Sequence, residues 1–410
     1  MTDPDKLCLG CMDAPCDGGR CRVCGFDRQE YEKERPFRIL PTMTVLHGRY
    51  LVGRTLGIGG FGITYLAMDL AEEKKVAIKE YFPNGLAERT MMSDGDCSIQ
   101  VSGSQQRQYY DKGLMSFIKE ANTMQALRKI DGIVQVLGFF RENNTAYLVM
   151  EYLPGMSLRS YVKVSGLPLK EEDVLEMIWP VINSLAMIHR KGIVHRDISP
   201  DNIIYGPDKS ITLIDFGAAR QATGDSNKSL TIMLKHGYAP IEQYYTSGKQ
   251  GAWTDIYAIC ATLYYLLSGT IPPDSINRLA SDEMKPLLTQ NFRVSRHVSD
   301  AVGKGLSVKA EDRYQTMEAL IEDLYEGMYV IEAKKMPETP EMPEPASEEP
   351  LQGQNGEKEA AYAAGSPKEA GQTGNVKVVL AVIAIILLSL MAIAIVFALA
   401  APFILFLLWG

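Results

Sequence analysis

The chain predicts an α+β fold with a two-lobed central domain, preceded by a small cysteine-rich module and followed by one transmembrane helix. Three observations predict it. Strand-like runs crowd the first third of residues 50–329, while apolar positions at helical spacing fill the rest. Five of the seven cysteines fall between Cys8 and Cys24, and the stretch from Val378 to Trp409 carries no charge. At 410 residues, 46% hydrophobic and 22% charged, the chain can bury one large core or two modest ones and still carry accessory segments. A formal net charge of −8 argues against a general nucleic-acid binder, which needs clustered Lys and Arg to neutralise phosphates.

Residues 1–30 are the first element. Cys8-Leu9-Gly10-Cys11 and Cys21-Arg22-Val23-Cys24 form two CxxC knuckles separated by nine residues, and Gly25 follows the second as a tight turn requires. Four thiolates at about 2.3 Å close the tetrahedral shell of a structural Zn2+, and so small a module has no apolar core of its own to fold on. The pattern resembles a zinc ribbon. Cys16 in the intervening loop could replace one ligand, and iron in a rubredoxin-like site or a redox-active pair are the alternatives left open. No basic start followed by an apolar run marks a secretory signal, so the module is expected in the reducing cytosol, which favours metal over disulfides.

Residues 50–329 carry the chemistry. Leu56-Gly57-Ile58-Gly59-Gly60-Phe61-Gly62 is a glycine-rich turn between apolar stretches, where missing side chains let backbone N–H groups approach phosphate oxygens. Alone it also suits a plain surface hairpin. Fourteen residues after Tyr65, Lys79 ends the apolar run Val76-Ala77-Ile78. A cation there demands an anionic partner, and Glu120 in Phe117-Ile118-Lys119-Glu120-Ala121 has the flanking pattern of one on the next helix. The strongest signal is His195-Arg196-Asp197-Ile198-Ser199-Pro200-Asp201-Asn202, followed thirteen residues past Asn202 by Asp215-Phe216-Gly217. A carboxylate in the first motif can accept a hydroxyl proton, while Asn202 and Asp215 offer hard oxygen ligands to a magnesium ion that bridges phosphates.

With these motifs the region resembles a protein kinase, specifically the bacterial eukaryotic-like (Hanks-type) Ser/Thr kinases, over residues 50 to 329. The resemblance implies the two-lobed protein kinase fold, ATP and Mg2+ (or Mn2+) as cofactors, and protein substrates. It makes Asp197 the catalytic base, Lys79 the contact to the α- and β-phosphates, Glu120 its ion-pair partner, and Asn202 and Asp215 the metal ligands. Gly57, Gly59 and Gly62 would cover the phosphates, Thr64, Ala77 and Ile204 would sandwich the adenine, and Met150, Glu151 and Leu153 would lie in the hinge. Gly237-Tyr238-Ala239-Pro240-Ile241-Glu242 resembles the close of the activation segment, Asp255 the buried aspartate of the following helix, and Arg313 the partner of Glu242.

The sequence departs from that pattern at Ser199, where Ser/Thr kinases carry a lysine that steadies the phosphoryl group in transfer. Lys235 stands where the family has a threonine near the same aspartate, and is expected to supply the missing charge. Thr64 replaces the usual valine over the adenine. The stretch from Lys79 to Glu120 is longer than is typical and reads as a surface insertion. Arg196 beside the base leads us to expect an activating phosphate on Thr223, Ser226, Ser229 or Thr231, which implies autophosphorylation and leaves room for a homodimer acting in trans. The competing functions are a membrane-anchored pseudokinase scaffold, favoured only by Ser199, and a kinase-fold enzyme acting on small molecules.

Residues 330–375 carry Pro337, Pro340, Pro343, Pro345 and Pro350 among glutamates, a composition that cannot offset chain entropy and reads as a tether. Residues 376–409 are then the membrane anchor. The apolar run exceeds the roughly 30 Å hydrocarbon core as a helix, so it is expected to tilt, to break near Pro402 or to leave its end at the interface. Lys368 and Lys377 precede it and nothing basic follows. The positive-inside rule therefore gives a single pass in the cell membrane with the catalytic region on the cytoplasmic side.

Overall fold

The computed structural model describes residues 6–326 apart from 14, 15, 17, 18, 91–96, 128, 129, 217–233, 246 and 292. The four threonines and serines expected to take a phosphate, Gly217, the tether and the apolar tail lie outside these residues. No helix among the described residues is long and apolar enough to cross a membrane.

The first lobe is an antiparallel sheet in the order β1-β2-β3-β4-β8-β7. Its strands are β1 (Val45–Leu46), β2 (Tyr50–Ile58), β3 (Gly62–Asp69), β4 (Lys74–Tyr81), β7 (Val136–Glu142) and β8 (Thr145–Glu151). The run Val76–Lys79 forms β4, and Tyr147–Glu151 forms β8. Thr64 pairs with Lys79 and Leu66 with Ala77, while Ala77 also pairs with Met150. Because side chains alternate along a strand, Thr64, Leu66, Ala77 and Lys79 share one face, and Tyr65, Ile78 and Glu80 share the other. Helix α2 (Ser104–Gln125) packs on β7 and β8 and buries Tyr110, Phe117, Glu120 and Ala121.

The stretch read as a surface insertion forms the hairpin β5 (Glu88–Arg89) and β6 (Ile99–Gln100), and then the start of α2. Part of it is not surface at all. Arg89 is fully buried and meets the fully buried Glu80 at 2.5 Å, while the hydroxyls of Tyr65 and Tyr147 donate to the same carboxylate at 2.9 and 2.7 Å. Two more guanidinium bonds reach the carbonyls of Arg38 and Cys97. Both carboxylate oxygens and each of the three guanidinium nitrogens are thus engaged, which is the condition for a buried charge to be tolerated.

The second lobe is helical. Its small sheet, in the order β11-β10-β9, comprises β9 (Met156–Ser157), β10 (Ile203–Tyr205) and β11 (Ile211–Leu213). Helix α3 (Leu158–Ser165) starts where Ser157 accepts from the Ser160 N–H. Helix α4 (Glu171–Arg190) opens on Glu171, Glu172 and Asp173 and closes on His189 and Arg190, a charge order that suits the helix dipole. Its apolar face packs on α5 (Ala252–Ser268), which is buried from Thr254 to Leu267 as the core helix of the lobe. Helices α6 (Ser275–Ala280), α7 (Leu287–Gln290), α8 (Arg296–Gly305) and α9 (Met317–Tyr325) complete the lobe around it.

Candidate active site and metal knuckle

The catalytic loop is built on a buried carboxylate. Asp255, on the first turn of α5, accepts from the backbone N–H of His195 and of Arg196, each at 2.7 Å, and from His189 Nε2 at 2.8 Å. Burial pushes this carboxyl up, but the His189 bond and the two nearby imidazoles outweigh it and hold the group below its usual value. Arg196 takes a positive φ of 71° here, and its carbonyl accepts from Gln243. The loop is therefore pinned from α5 and from the segment that precedes α5.

This pinning brings the sequence-predicted residues together. Asn202 Nδ2 spends its two hydrogens on Asp197, reaching Oδ2 at 2.6 Å and the main-chain oxygen at 2.8 Å. Its Oδ1 is then the atom the amide has to offer a hard cation. Asp215 adopts a left-handed conformation just past β11, and its Oδ1 lies 2.8 Å from Lys79 Nζ on β4, so a cation from one lobe meets a carboxylate from the other. Glu120 is buried on α2, which packs against the sheet that carries Lys79. His195 is fully buried against Phe216. Burial lowers it to about 4 despite the nearby carboxylates, and its Nδ1 accepts from the Asp197 N–H at 3.3 Å.

Lys235 lies beside Ser199, the position at which the resemblance implies a lysine. Its ammonium lies 2.7 Å from Ser199 Oγ and 3.6 Å from Asp197 Oδ1. A turn holds it there, with the N–H groups of Tyr238 and Ala239 returning to its carbonyl and Asp274 accepting from the Gly237 N–H. A Cβ at Gly237, where φ is +78°, would also overlap Ile271. Further on, Arg313 binds Glu242 through two bonds of 2.8 and 3.1 Å with both side chains buried, and Thr254 donates to the same carboxylate.

The glycine-rich turn joins β2 to β3, and the Gly59 N–H closes it on the Gly62 carbonyl at 2.8 Å. A Cβ on Gly62 would overlap the Glu80 carbonyl, so glycine is required where β3 meets β4. Gly57 pairs with Thr64 across the turn. Ala77 and Met150 are buried partners, Ile204 lies on β10, and Glu151 is bonded through its N–H and its carboxylate to Gln135. Leu153 packs on the main core.

The sulfurs of Cys8, Cys11, Cys21 and Cys24 all lie within 4.8 Å of one another, and none of the four is in a disulfide. A tetrahedral zinc–thiolate shell has sulfur–sulfur edges of about 3.8 Å, from bonds of about 2.3 Å, so the donor set fits. Backbone N–H bonds from Cys24 and Val23 lower Cys21 to about 7, whereas burial raises Cys8. Cys16 donates instead to the Gly19 carbonyl.

Sequence reasoning did not find His189, Glu80 with Arg89, or Arg159, which binds Asp201 at 2.9 Å and lies over the Tyr238 and Tyr265 rings. The partners of His189 and Arg159 lie 66 and 42 residues away, and Arg89 lies nine residues from Glu80 in a stretch read as a surface insertion; only the Asp255 motif gave a hint of one.

A family model described as the protein kinase domain matches residues 50–326. Serine/threonine-protein kinase F of Synechocystis sp. is 30% identical over 297 residues, covering 69% of this chain and 56% of that protein. PrkC of Bacillus subtilis is 27% identical, with 68% and 40% covered. The chain thus spans about half the length of the curated relatives it matches. Among solved structures, PpkA-294 in its apo form is 36% identical with a TM-score of 0.63, over 70% of this chain and 99% of that one. The PknI kinase domain of Mycobacterium tuberculosis shares the fold at 21% identity and a TM-score of 0.51, over 70% of this chain and 99% of that one. The chain belongs to the protein kinase family.

Proposed function

We propose that the chain is an ATP-dependent Ser/Thr protein kinase. Its N-terminal cysteines hold a structural zinc, and its apolar tail anchors it in the cell membrane with the kinase domain on the cytoplasmic side. The observation that carries the activity is the convergence of Lys79, Asp197, Asn202, Asp215 and Lys235 from both lobes. Magnesium ATP, when bound, supplies the phosphoryl group and the metal charge. Asp197 takes the proton of the acceptor hydroxyl, with Asn202 fixing one of its oxygens. Asn202 Oδ1 and the Asp215 carboxylate hold the metal, and Lys79 holds the α- and β-phosphates with Glu120 behind it. Thr64, Ala77 and Ile204 enclose the adenine beside the hinge at Met150, Glu151 and Leu153. Lys235, in place of a lysine at Ser199, stabilises charge on the phosphoryl group in transfer.

Autophosphorylation within the segment Thr223 to Thr231, between two copies of the chain, fits the guanidinium of Arg196 beside the base. The membrane reading rests on the charge-free run from Val378 to Trp409 and on Lys368 and Lys377 before it. Ser199 favours a second reading, a pseudokinase scaffold. The full chain, incubated with γ-labelled ATP, Mg2+ and a generic protein substrate, is expected to label that substrate, and Asp197→Asn and Asp215→Ala are expected not to. A chain that binds Mg-ATP yet labels no protein makes the scaffold reading the right one.

A further inference from the structure

The cysteine knuckle touches the kinase domain at one mechanically sensitive place. Leu9 and Gly10 lie between the ligands Cys8 and Cys11, and the Gly10 N–H donates to Cys8 Sγ. The Leu9 carbonyl accepts from the Arg54 N–H at 2.8 Å, and the Gly10 carbonyl from Arg54 Nε at 2.6 Å. Gly53 and Arg54 sit where the pairing of β2 with β3 shifts register between Val52 and Thr55. A Cβ on Gly53 would overlap the Leu9 carbonyl and the Met12 side chain, so glycine alone permits the approach. Tyr31, on the helix α1 (Arg28–Glu34) that follows the second knuckle, accepts from the Thr55 N–H at 3.0 Å and bonds its hydroxyl at 2.8 Å. Arg54 and Thr55 of β2 are therefore bonded by the N-terminal segment, which also closes on Gly53, and Thr55 lies two residues before Gly57.

The contact continues on the nucleotide face of the sheet. Leu7, Leu9 and Met12 form a cluster with Leu51, Leu66 and Met68, and Tyr152, next to the hinge residue Glu151, packs against it. Lys75 bridges Asp13 at 2.5 Å and lies over the Tyr152 ring. At the root of the turn Leu56 and Ile58 are exposed, while its tip is held by main-chain bonds from Phe82 and Asn84 to the Phe61 and Gly60 carbonyls, so the module acts on the β2 side of the turn.

We infer that the knuckle is a metal-dependent clamp on the nucleotide-binding loop: an ion held by the four cysteines fixes Leu9 and Gly10 against β2, and its loss frees the Gly57–Gly62 turn and weakens ATP binding. This rests on the zinc and nucleotide sites proposed above, and goes beyond them by giving the ion a regulatory effect. A module that merely covers apolar surface changes melting temperature on metal loss but leaves the affinity of the folded protein for ATP alone.

The test uses the full chain, with zinc removed by a high-affinity chelator and then restored. Affinity for Mg-ATP is read by displacement of a fluorescent ATP analogue, and amide exchange is followed in residues 50–62 and, as a control, in residues 255–267. Removal is expected to weaken ATP binding about fivefold, about 1 kcal/mol, and to speed exchange in residues 50–62 alone, both reversed by zinc. The variant Arg54→Met with Tyr31→Phe keeps all four cysteines. It is expected to retain its zinc and yet bind ATP as weakly as the stripped protein, with no further change on stripping. A stripped chain with unchanged affinity and unchanged exchange in residues 50–62 overturns the clamp. So does a double variant with wild-type affinity, or a chain that takes up no zinc. A chain that holds zinc but binds no ATP defeats the kinase reading instead, and exchange in residues 50–62 still decides for or against the clamp.

Discussion

Replacing Lys235 tests whether the charge missing at Ser199 has been moved rather than lost. The ammonium lies 3.6 Å from Asp197 Oδ1. Taking that separation for the group in transfer, an effective dielectric of about 20 gives an attraction of roughly 4–5 kcal/mol. The side chain is 22% exposed, so water screens part of this. A net about 2–3 kcal/mol remains, close to the loss seen when one charge-stabilising donor is removed from an active site. Lys235→Ala is therefore expected to lower kcat roughly 30- to 150-fold. The KM for ATP should move about threefold or less, because the residue stabilises charge that develops in transfer rather than the bound nucleotide. Steady-state kinetics against one peptide substrate, with ATP varied, separates the two. The double variant Ser199→Lys with Lys235→Thr restores the arrangement of the wider family and is expected to recover most of the lost turnover. A Lys235→Ala enzyme with kcat within about threefold of wild type, or with its whole defect in KM, refutes the reasoning.

Arg89→Met leaves the Glu80 carboxylate buried without its cation, and is expected to cost about 3–5 kcal/mol in urea unfolding; a cost under about 1 kcal/mol shows the pair to be dispensable. His195 titrates at about 4 in the fold against 6.5 when unperturbed. Between those values the unfolded chain holds the extra proton, so stability falls by about 1.4 kcal/mol per pH unit as pH drops below 6.5. Unfolding free energies at pH 7 and pH 5 should differ by about 2 kcal/mol from this source, and a His195→Gln chain that keeps the full slope contradicts it. Wild-type protein incubated with Mg-ATP should carry phosphate within residues 217–233 by mass spectrometry; active protein with none there removes the phosphate-pairing role given to Arg196.

How much was legible in the sequence follows from how local each signal is. Asp197, Asn202 and Asp215 were readable because their chemistry needs fixed residue types at short spacings. Even the bond from Asn202 to Asp197 spans only five residues along the chain. The strand whose apolar run ends at Lys79 and the helical character of the later part of residues 50–329 were readable from periodicity, because one or both faces are apolar. The closeness of Lys235 to Ser199 was expected only from the idea of compensation, since nothing in its sequence neighbourhood marks that lysine. The pair Glu80 and Arg89 was hidden, because Glu80 follows Lys79 and looks like one more solvated charge. Strand alternation sends the two to opposite faces, and the partner of Glu80 arrives from a segment whose turn signals suggested only a loop.

That last failure bears on how the domain is stabilised and controlled. The sheet has two faces, and in this chain each is covered in part by residues from outside its six strands. On the face of Tyr65 and Glu80, Leu40 bonds the Tyr65 hydroxyl through its N–H, and Arg89 closes the charge network. On the face of Thr64 and Lys79, Leu9 and Met12 close the apolar patch beside Tyr152. The two coverings differ in kind. Glu80 and Arg89 are satisfied entirely by the chain itself, so their contribution is fixed by folding. On the zinc reading proposed above, an ion completes the four thiols of the knuckle, and its contribution would vary with metal supply. The fixed covering backs β4, which carries Lys79, and the variable one grips β2 at the root of the glycine-rich turn. Control by metal would then act on how tightly ATP is held, while the position of the catalytic lysine stays constant.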